Sequence, residues 1–192
     1  VLEGQEDPRQ LFLGQLVAEL FEPRLEAGAT RVLVQDEDGA ALEADASLAE
    51  TEHALGRLYF TSGRLEQAET VYRSLLTRAP ADADVHIGLG RALARSNRTA
   101  EAERSFREAI DVEPGYWQAY NSLGNFLFNV GRSDEAAKAY QRVTELAPGN
   151  PTGFNNLGAA RMMAGDLVAS AKAFEQSTQI ELVVNLRTAR DL

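Results

Sequence analysis

The side chains that most often carry out catalysis are few in this sequence. The two histidines, His53 and His86, lie far apart along the chain and form no visible constellation with a nucleophile or a metal ligand. Cysteine is absent, which excludes disulfides, thiolate metal sites and a cysteine nucleophile. The acidic turn at 36–39 lacks the alternating ligand spacing and the closing glutamate of a calcium loop. We therefore expect no catalytic residue, no metal and no cofactor.

The negative charge is concentrated at the start of the chain. The net charge is −10, and residues 1–52 carry 13 acidic and 3 basic side chains, whereas the remaining residues carry 16 of each. A neutral remainder without a basic stripe is untypical of nucleic-acid binders, so we expect no nucleic-acid partner. No apolar run approaches the ~18 to 20 residues of a membrane span, so we expect no membrane insertion. The composition fits the cytoplasm or the periplasm equally well.

A Leu-Gly pair recurs four times at a constant interval, and other residues recur in phase with it. A small residue follows each glycine at 12 positions and an aromatic at 16, and a proline follows at 24 in three of the four cases. The series are Leu55-Gly56, Leu89-Gly90, Leu123-Gly124 and Leu157-Gly158; Ala68, Ala102, Ala136 and Ser170; Tyr72, Phe106, Tyr140 and Phe174; and Pro80, Pro114 and Pro148. An interval of this length is typical of stacked helix pairs.

The pattern closely resembles the tetratricopeptide repeat, whose unit is about 34 residues long. The resemblance implies an all-α fold, a right-handed superhelical solenoid of four helix-turn-helix repeats with a divergent N-terminal cap. Turn and capping residues predict helices over about 47–62, 65–79, 83–96, 99–112, 116–130, 134–146, 152–164 and from 167 onward. Thr99, Ser133 or Asp134, and Asp166 are the expected side-chain caps of later second helices.

The chain divides into three parts on this pattern. Residues 1–46 form an acidic N-terminal cap or a degenerate repeat, with a predicted helix over 9–27 and either a short strand or a helical segment at 31–34. The array spans 47–182, with repeats at 49–82, 83–116, 117–150 and 151–184. Residues 183–192 extend the last helix or begin a truncated repeat. The start at Val1 suggests a mature or partial chain.

In this family the first helix of each repeat lines a concave groove, and the resemblance assigns groove positions on both sides of each Leu-Gly pair. The resulting surface is rich in amides and mildly basic. Asparagine is a mediocre helix former, so its accumulation on one face needs a reason, either peptide binding or hydrogen bonding between adjacent repeats. The candidate peptide-binding residues are His53, Arg57, Arg91, Arg95, Asn121, Asn125, Asn129, Asn155 and Asn156.

Two relatives guide the functional expectation. The O-linked N-acetylglucosamine transferase grips an extended peptide with groove asparagines, and heat-shock co-chaperones hold a C-terminal aspartate in a two-carboxylate clamp. Asn125 and Asn156 match the paired asparagines of that clamp, but Asn121 replaces its lysine. We expect a non-catalytic scaffold that binds a protein or peptide. The alternatives are a regulatory region of a bacterial signalling enzyme, such as a kinase or cyclase, and an assembly factor for pili or the outer membrane. The oligomeric state is left open.

Overall fold

The computed structural model describes residues 30–35, 41–46 and 48–190. Two antiparallel strands, β1 (Thr30–Gln35) and β2 (Ala41–Ala46), form a hairpin in which Thr30 pairs with Ala46 and Gln35 with Ala41. Of the two alternatives for residues 31–34, the strand is the one observed. The helix predicted over 9–27 and the acidic turn at 36–39 lie outside the described residues. Residues 1–48 and residues 49–192 form two compact units.

The second unit is the predicted array of helix pairs, and the observed helix ends agree closely with the predicted ones. The odd-numbered helices are the first helices of the four repeats and the even-numbered helices are the second. They are α1 (Leu48–Thr61), α2 (Leu65–Arg78), α3 (Ala83–Arg95), α4 (Thr99–Val112), α5 (Trp117–Asn129), α6 (Ser133–Leu146), α7 (Pro151–Met163) and α8 (Leu167–Arg190). The prediction of an all-α solenoid is confirmed for residues 48–190, whereas β1 and β2 before the array are strands.

The recurring glycine allows the aromatic ring of the same repeat to approach the first helix. A Cβ built on Gly124 would lie 2.6 Å from Cε1 of Tyr140, and the corresponding distances at the other three Leu-Gly glycines are 2.8 to 2.9 Å. No side chain fits at such distances, so glycine is required by packing. The four turns between paired helices use a left-handed residue, with φ of 78° at Gly63, 59° at Asn97, 81° at Gly131 and 85° at Gly165.

The predicted caps are only partly correct. Asp166 accepts a hydrogen bond from the backbone N–H of Ala169, as expected of a cap. The prediction is wrong for Thr99 and for Ser133 or Asp134, because the residues before α4 and α6 are Arg98 and Arg132, which make no capping hydrogen bond. Their side chains are used between repeats instead.

Arg98 and Arg132 each join two consecutive second helices. Nη1 of Arg98 lies 2.6 Å from Glu69 of the preceding repeat, and its Nη2 lies 2.6 Å from Glu101 of its own. Arg132 makes both contacts again in the next repeat, with Glu103 and Glu135. We call these six residues the arginine ladder. The ladder ends at the third joint, where Ala137 and Asp166 occupy the glutamate and arginine positions.

The last second helix is longer than the others. With Leu182 in place of the proline, α8 continues without a break to Arg190. Its buried side anchors the helix to α7 through small polar residues: the hydroxyl of Ser170 donates to the carbonyl of Gly158 at 2.8 Å, and Ser177 donates to Pro151 at 3.0 Å. The opposite side of α8 carries exposed apolar residues.

Candidate functional site

The first helices of adjacent repeats lie side by side. Consecutive first helices α3 and α5 contact each other directly across a repeat boundary, and side-chain hydrogen bonds link them along the same side. Nη2 of Arg91 on α3 lies 3.3 Å from the hydroxyl of Ser122 on α5. The side-chain amide of Asn156 on α7 donates to Oδ1 of Asn121 on α5 at 3.0 Å. These links lie along the first helices, on the side of the array that the family resemblance predicts to be the concave groove.

An open cavity of about 400 Å³ lies in this groove between α1, α3 and α5. It brings together four of the nine predicted residues, Arg91, Arg95, Asn125 and Asn129. The remaining walls come from aromatic and small side chains, which give the cavity an apolar interior and a polar edge. They are Phe60, Ala94, Asn97, Thr99, Phe106, Ser122, Phe126 and Val130.

The arginines of the groove differ in pairing from most arginines on the second helices and in the turns before them. Within residues 49–188, Arg57, Arg91 and Arg95 have no carboxylate within 4 Å, whereas Arg73, Arg98, Arg107, Arg132 and Arg142 all have one. Arg95 is held in place by other groups, since its Nη1 donates to the carbonyl of Phe60 at 2.9 Å and its guanidinium lies 5.0 Å above the Phe60 ring. These three arginines therefore carry positive charge that no carboxylate within 4 Å neutralises in the described array.

His53 and Arg57 lie one repeat earlier in the groove, outside the cavity. The half-buried ring of His53 packs edge-on against Tyr72, with the ring centroids 6.0 Å apart. Burial raises the pKa of Tyr72, and the charges of Arg57 and Arg91 partly oppose that effect. Both arginines therefore act on the Tyr72 hydroxyl through their charge.

The asparagines divide into two classes. Asn121 and Asn156 are hydrogen bonded to each other between repeats, and Oδ1 of Asn125 accepts from the hydroxyl of Tyr140 at 2.7 Å. Asn129 and Asn155 are exposed and make no side-chain hydrogen bond within the described array. Asn121 and Asn156 therefore fit the explanation by hydrogen bonding between repeats, and Asn129 and Asn155 fit the explanation by peptide binding. Each bonded amide also retains further donors or acceptors for a ligand.

His86, one of the two histidines, makes structural contacts. His86 is 8% exposed, its Nε2 lies 2.9 Å from the carbonyl of Pro80, and its Nδ1 lies 3.4 Å from Glu108. No group of three histidine or acidic residues that could hold a metal ion occurs in the part of the chain that the structure describes. Among the same residues, no helix has both the length and the apolar composition to cross a membrane.

Sequence reasoning missed Ser122 and the arginine ladder. Ser122 occupies the same repeat position as Ala54, Gly88 and Asn156, none of which is a serine. The repeat pattern therefore did not indicate its contact with Arg91. The ladder did leave a signal, because arginine recurs at the repeat interval before α2, α4 and α6.

A family model described as tetratricopeptide repeat matches the chain three times, over residues 53–111, 89–151 and 127–180. These matches cover two thirds of the sequence and overlap the four helix pairs. The chain belongs to the tetratricopeptide repeat family. No curated protein matches it.

Solved structures of tetratricopeptide repeat proteins share the fold. A structure of MamA superposes with a TM-score of 0.65 at 23% identity and covers 72% of this chain and 81% of that one. PilF of Pseudomonas aeruginosa gives 0.63 at 25% identity, over 69% of this chain and 60% of that one. The first repeat domain of Spaghetti (RPAP3), bound to the HSP90 peptide SRMEEVD, gives 0.56 at 26% identity, over 61% and 93%.

Family membership establishes the general role. Tetratricopeptide repeat proteins bind protein or peptide partners and are generally non-catalytic interaction modules, so this array is a protein-interaction scaffold.

Proposed function

We propose that the concave groove binds an extended, acidic segment of a protein partner across α1, α3 and α5. The observation that carries the proposal is the set of groove arginines without carboxylate partners, two of which, Arg91 and Arg95, border the cavity. The arginines of the ladder are paired with glutamates within the array, whereas the groove arginines are not. The groove arginines are therefore available to a negatively charged ligand. A carboxylate that docks there gains charge-assisted hydrogen bonds.

The cavity supplies the second part of the recognition. Phe60, Phe106 and Phe126 provide apolar walls for one side chain of the segment, while Asn125 and Asn129 at the edge offer amide groups to its backbone. A side-chain amide donates and accepts at once, which suits a peptide unit. The acidic peptide SRMEEVD held by the RPAP3 repeat domain supports a ligand of this chemistry.

The proposal leaves the chain without catalytic activity and without a nucleic-acid or membrane partner. The two more specific roles, regulation of a bacterial signalling enzyme and assembly of pili or the outer membrane, stay predictions, and no residue of the groove favours either.

Selection from an unbiased displayed-peptide library, followed by isothermal titration, tests the proposal. We expect enriched peptides to carry Asp or Glu beside an apolar residue. Arg91→Ala should weaken binding about tenfold or more, since a hydrogen bond to a charged group contributes about 1.5 to 3 kcal/mol. The matched control is Arg104→Ala, a second exposed arginine that does not line the cavity. Enrichment of neutral or basic peptides, or equal effects of the two substitutions, would contradict the proposal.

A further inference from the structure

The last second helix leaves a packing face uncovered. Phe174 on α8 is 36% exposed, whereas Tyr72, Phe106 and Tyr140 at the same phase are 2%, 2% and 3% exposed. Ala171 is exposed on the same face, while its counterpart Ala137 is 5% exposed. This face of α8 therefore exposes residues that are buried at the same positions of the earlier repeats.

The earlier repeats show what covers this face. The first helix of the following repeat lies against it and presents small residues. A Cβ built on Gly88 of α3 would lie 2.5 Å from the ring of Tyr72 on α2, and one built on Gly153 of α7 would lie 2.8 Å from Cγ1 of Val143 on α6. The fitting occupant of the α8 face is thus a first helix with a small residue above Phe174.

The first helix of the array carries the complementary face. Leu58 on α1 is 43% exposed, whereas Ala92, Phe126 and Ala160 at the same phase are 1%, 6% and 0% exposed. Ala54 takes the phase of Gly88 and is also exposed. A small residue and an apolar residue therefore stand at the two positions that later repeats bury against a preceding second helix.

We propose that copies of this chain associate head to tail, with α1 of one copy packed on α8 of another as α3 packs on α2. The same interface occurs three times within the chain, so the two exposed faces are the halves of a contact that the sequence already encodes. Such a contact is heterologous, and it forms chains or rings rather than symmetric dimers.

The arginine ladder would be missing at this joint. The ladder glutamate position on α8 is Ala171, and the ladder arginine position before α2 is Arg64. The contact between copies is therefore weaker than the joints that the ladder braces, and its extent should depend on protein concentration.

Sedimentation velocity over a range of concentrations tests the inference. The average mass of the wild type should rise with concentration. Leu58→Glu and Ala171→Arg should each weaken association about tenfold or more, because each buries a charge in an apolar contact. Val130→Glu is the matched control, since Val130 is 41% exposed but lies at neither end of the array. Circular dichroism checks that the helices are intact in each variant.

Mixing distinguishes the head-to-tail contact from other modes. Leu58→Glu and Ala171→Arg copies, monomeric alone, should form one-to-one dimers when mixed, because each retains the face that the other has lost. A wild type that stays monomeric at all concentrations overturns the proposal. So does a Leu58→Glu variant that still dimerises alone, since α8 would then pair with α8.

Discussion

The two halves of the concave groove share one scaffold and differ in chemistry. Of the nine predicted peptide-binding residues, those on α1 and α3 are His53, Arg57, Arg91 and Arg95, whereas those on α5 and α7 are all asparagines. The packing positions are alike in all four repeats, because a Cβ built on any Leu-Gly glycine would lie 2.9 Å or less from its aromatic ring. Packing thus constrains the residue types at the buried repeat positions. The groove positions are not constrained in this way, and they form a charged half on α1 and α3 and an amide half on α5 and α7.

A substitution at a single Leu-Gly glycine should disrupt the shared packing, and we expect it to have the largest effect of the changes considered. Gly124→Leu places a side chain where only 2.6 Å separates a Cβ from the Tyr140 ring. We expect the free energy of unfolding to fall by on the order of 1 to 3 kcal/mol or more, because the helix crossing is overpacked. Urea denaturation measures it. Gly149→Leu is the control, since nothing lies within 4 Å of its Cβ position, and equal midpoints for the two variants would refute the packing argument.

The amide half can be separated into structural and free asparagines. Asn125→Ala removes the acceptor of the Tyr140 hydroxyl and should cost about 1 kcal/mol of stability. Asn129→Ala should leave the melting temperature unchanged, because its side chain makes no hydrogen bond in the described array. Both should weaken binding of a selected peptide in isothermal titration. If Asn129→Ala binds as the wild type does, the amide half has only a structural role at that position.

Salt should separate the charged half from the amide half. The Debye length falls from about 10 Å at 0.1 M salt to about 3 Å at 1 M, so a contribution from Arg91 fades while one from a neutral amide persists. We expect the affinity of Arg91→Ala to depend less on salt than that of the wild type, and the affinity of Asn129→Ala to keep the wild-type slope. Parallel slopes in all three proteins would show that the halves do not differ in this way.

The smallest effect concerns pH and the ladder. The hydrogen bond from Arg132 lowers the pKa of Glu103 below its usual value of 4.5, and it lowers that of Glu135 too. Folding therefore favours the ionised carboxylates. Their contribution is complete above the unfolded pKa and is lost as the pH falls through the lower, folded pKa values.

Denaturant midpoints between pH 7 and pH 3 check this sign. Glu103→Gln should cost a few tenths to about 1 kcal/mol at pH 7 and nothing at the acid end, because partly exposed ion pairs contribute little. Glu145→Gln is the control, since Glu145 pairs with Arg142 inside one helix and joins no repeats. A loss that is independent of pH would exclude the ionised pair as its cause.

The sequence predicted local structure well and contacts between repeats poorly. Helix ends follow from glycine, asparagine and proline at fixed positions, which act over a few residues. The pairs Glu69–Arg98 and Asn121–Asn156 join residues 29 and 35 apart, and their meeting depends on how far each repeat is rotated against the next. The family resemblance predicted which residues belong to the groove. The cavity depends on the rotation between repeats, so the sequence did not predict it.

The absence of the ladder from the third joint has a consequence for local unfolding of the array. In a linear array each interface contributes its own coupling free energy, and the joint between α6 and α8 lacks the ion pair that braces the two before it. Amide hydrogens of α7 and α8 should therefore exchange sooner than those of α3 to α6. Asn155 and Asn156 lie on this segment, so a ligand that engages them would spend part of its binding free energy on holding the fourth repeat closed, and it would slow exchange most at the end of the molecule.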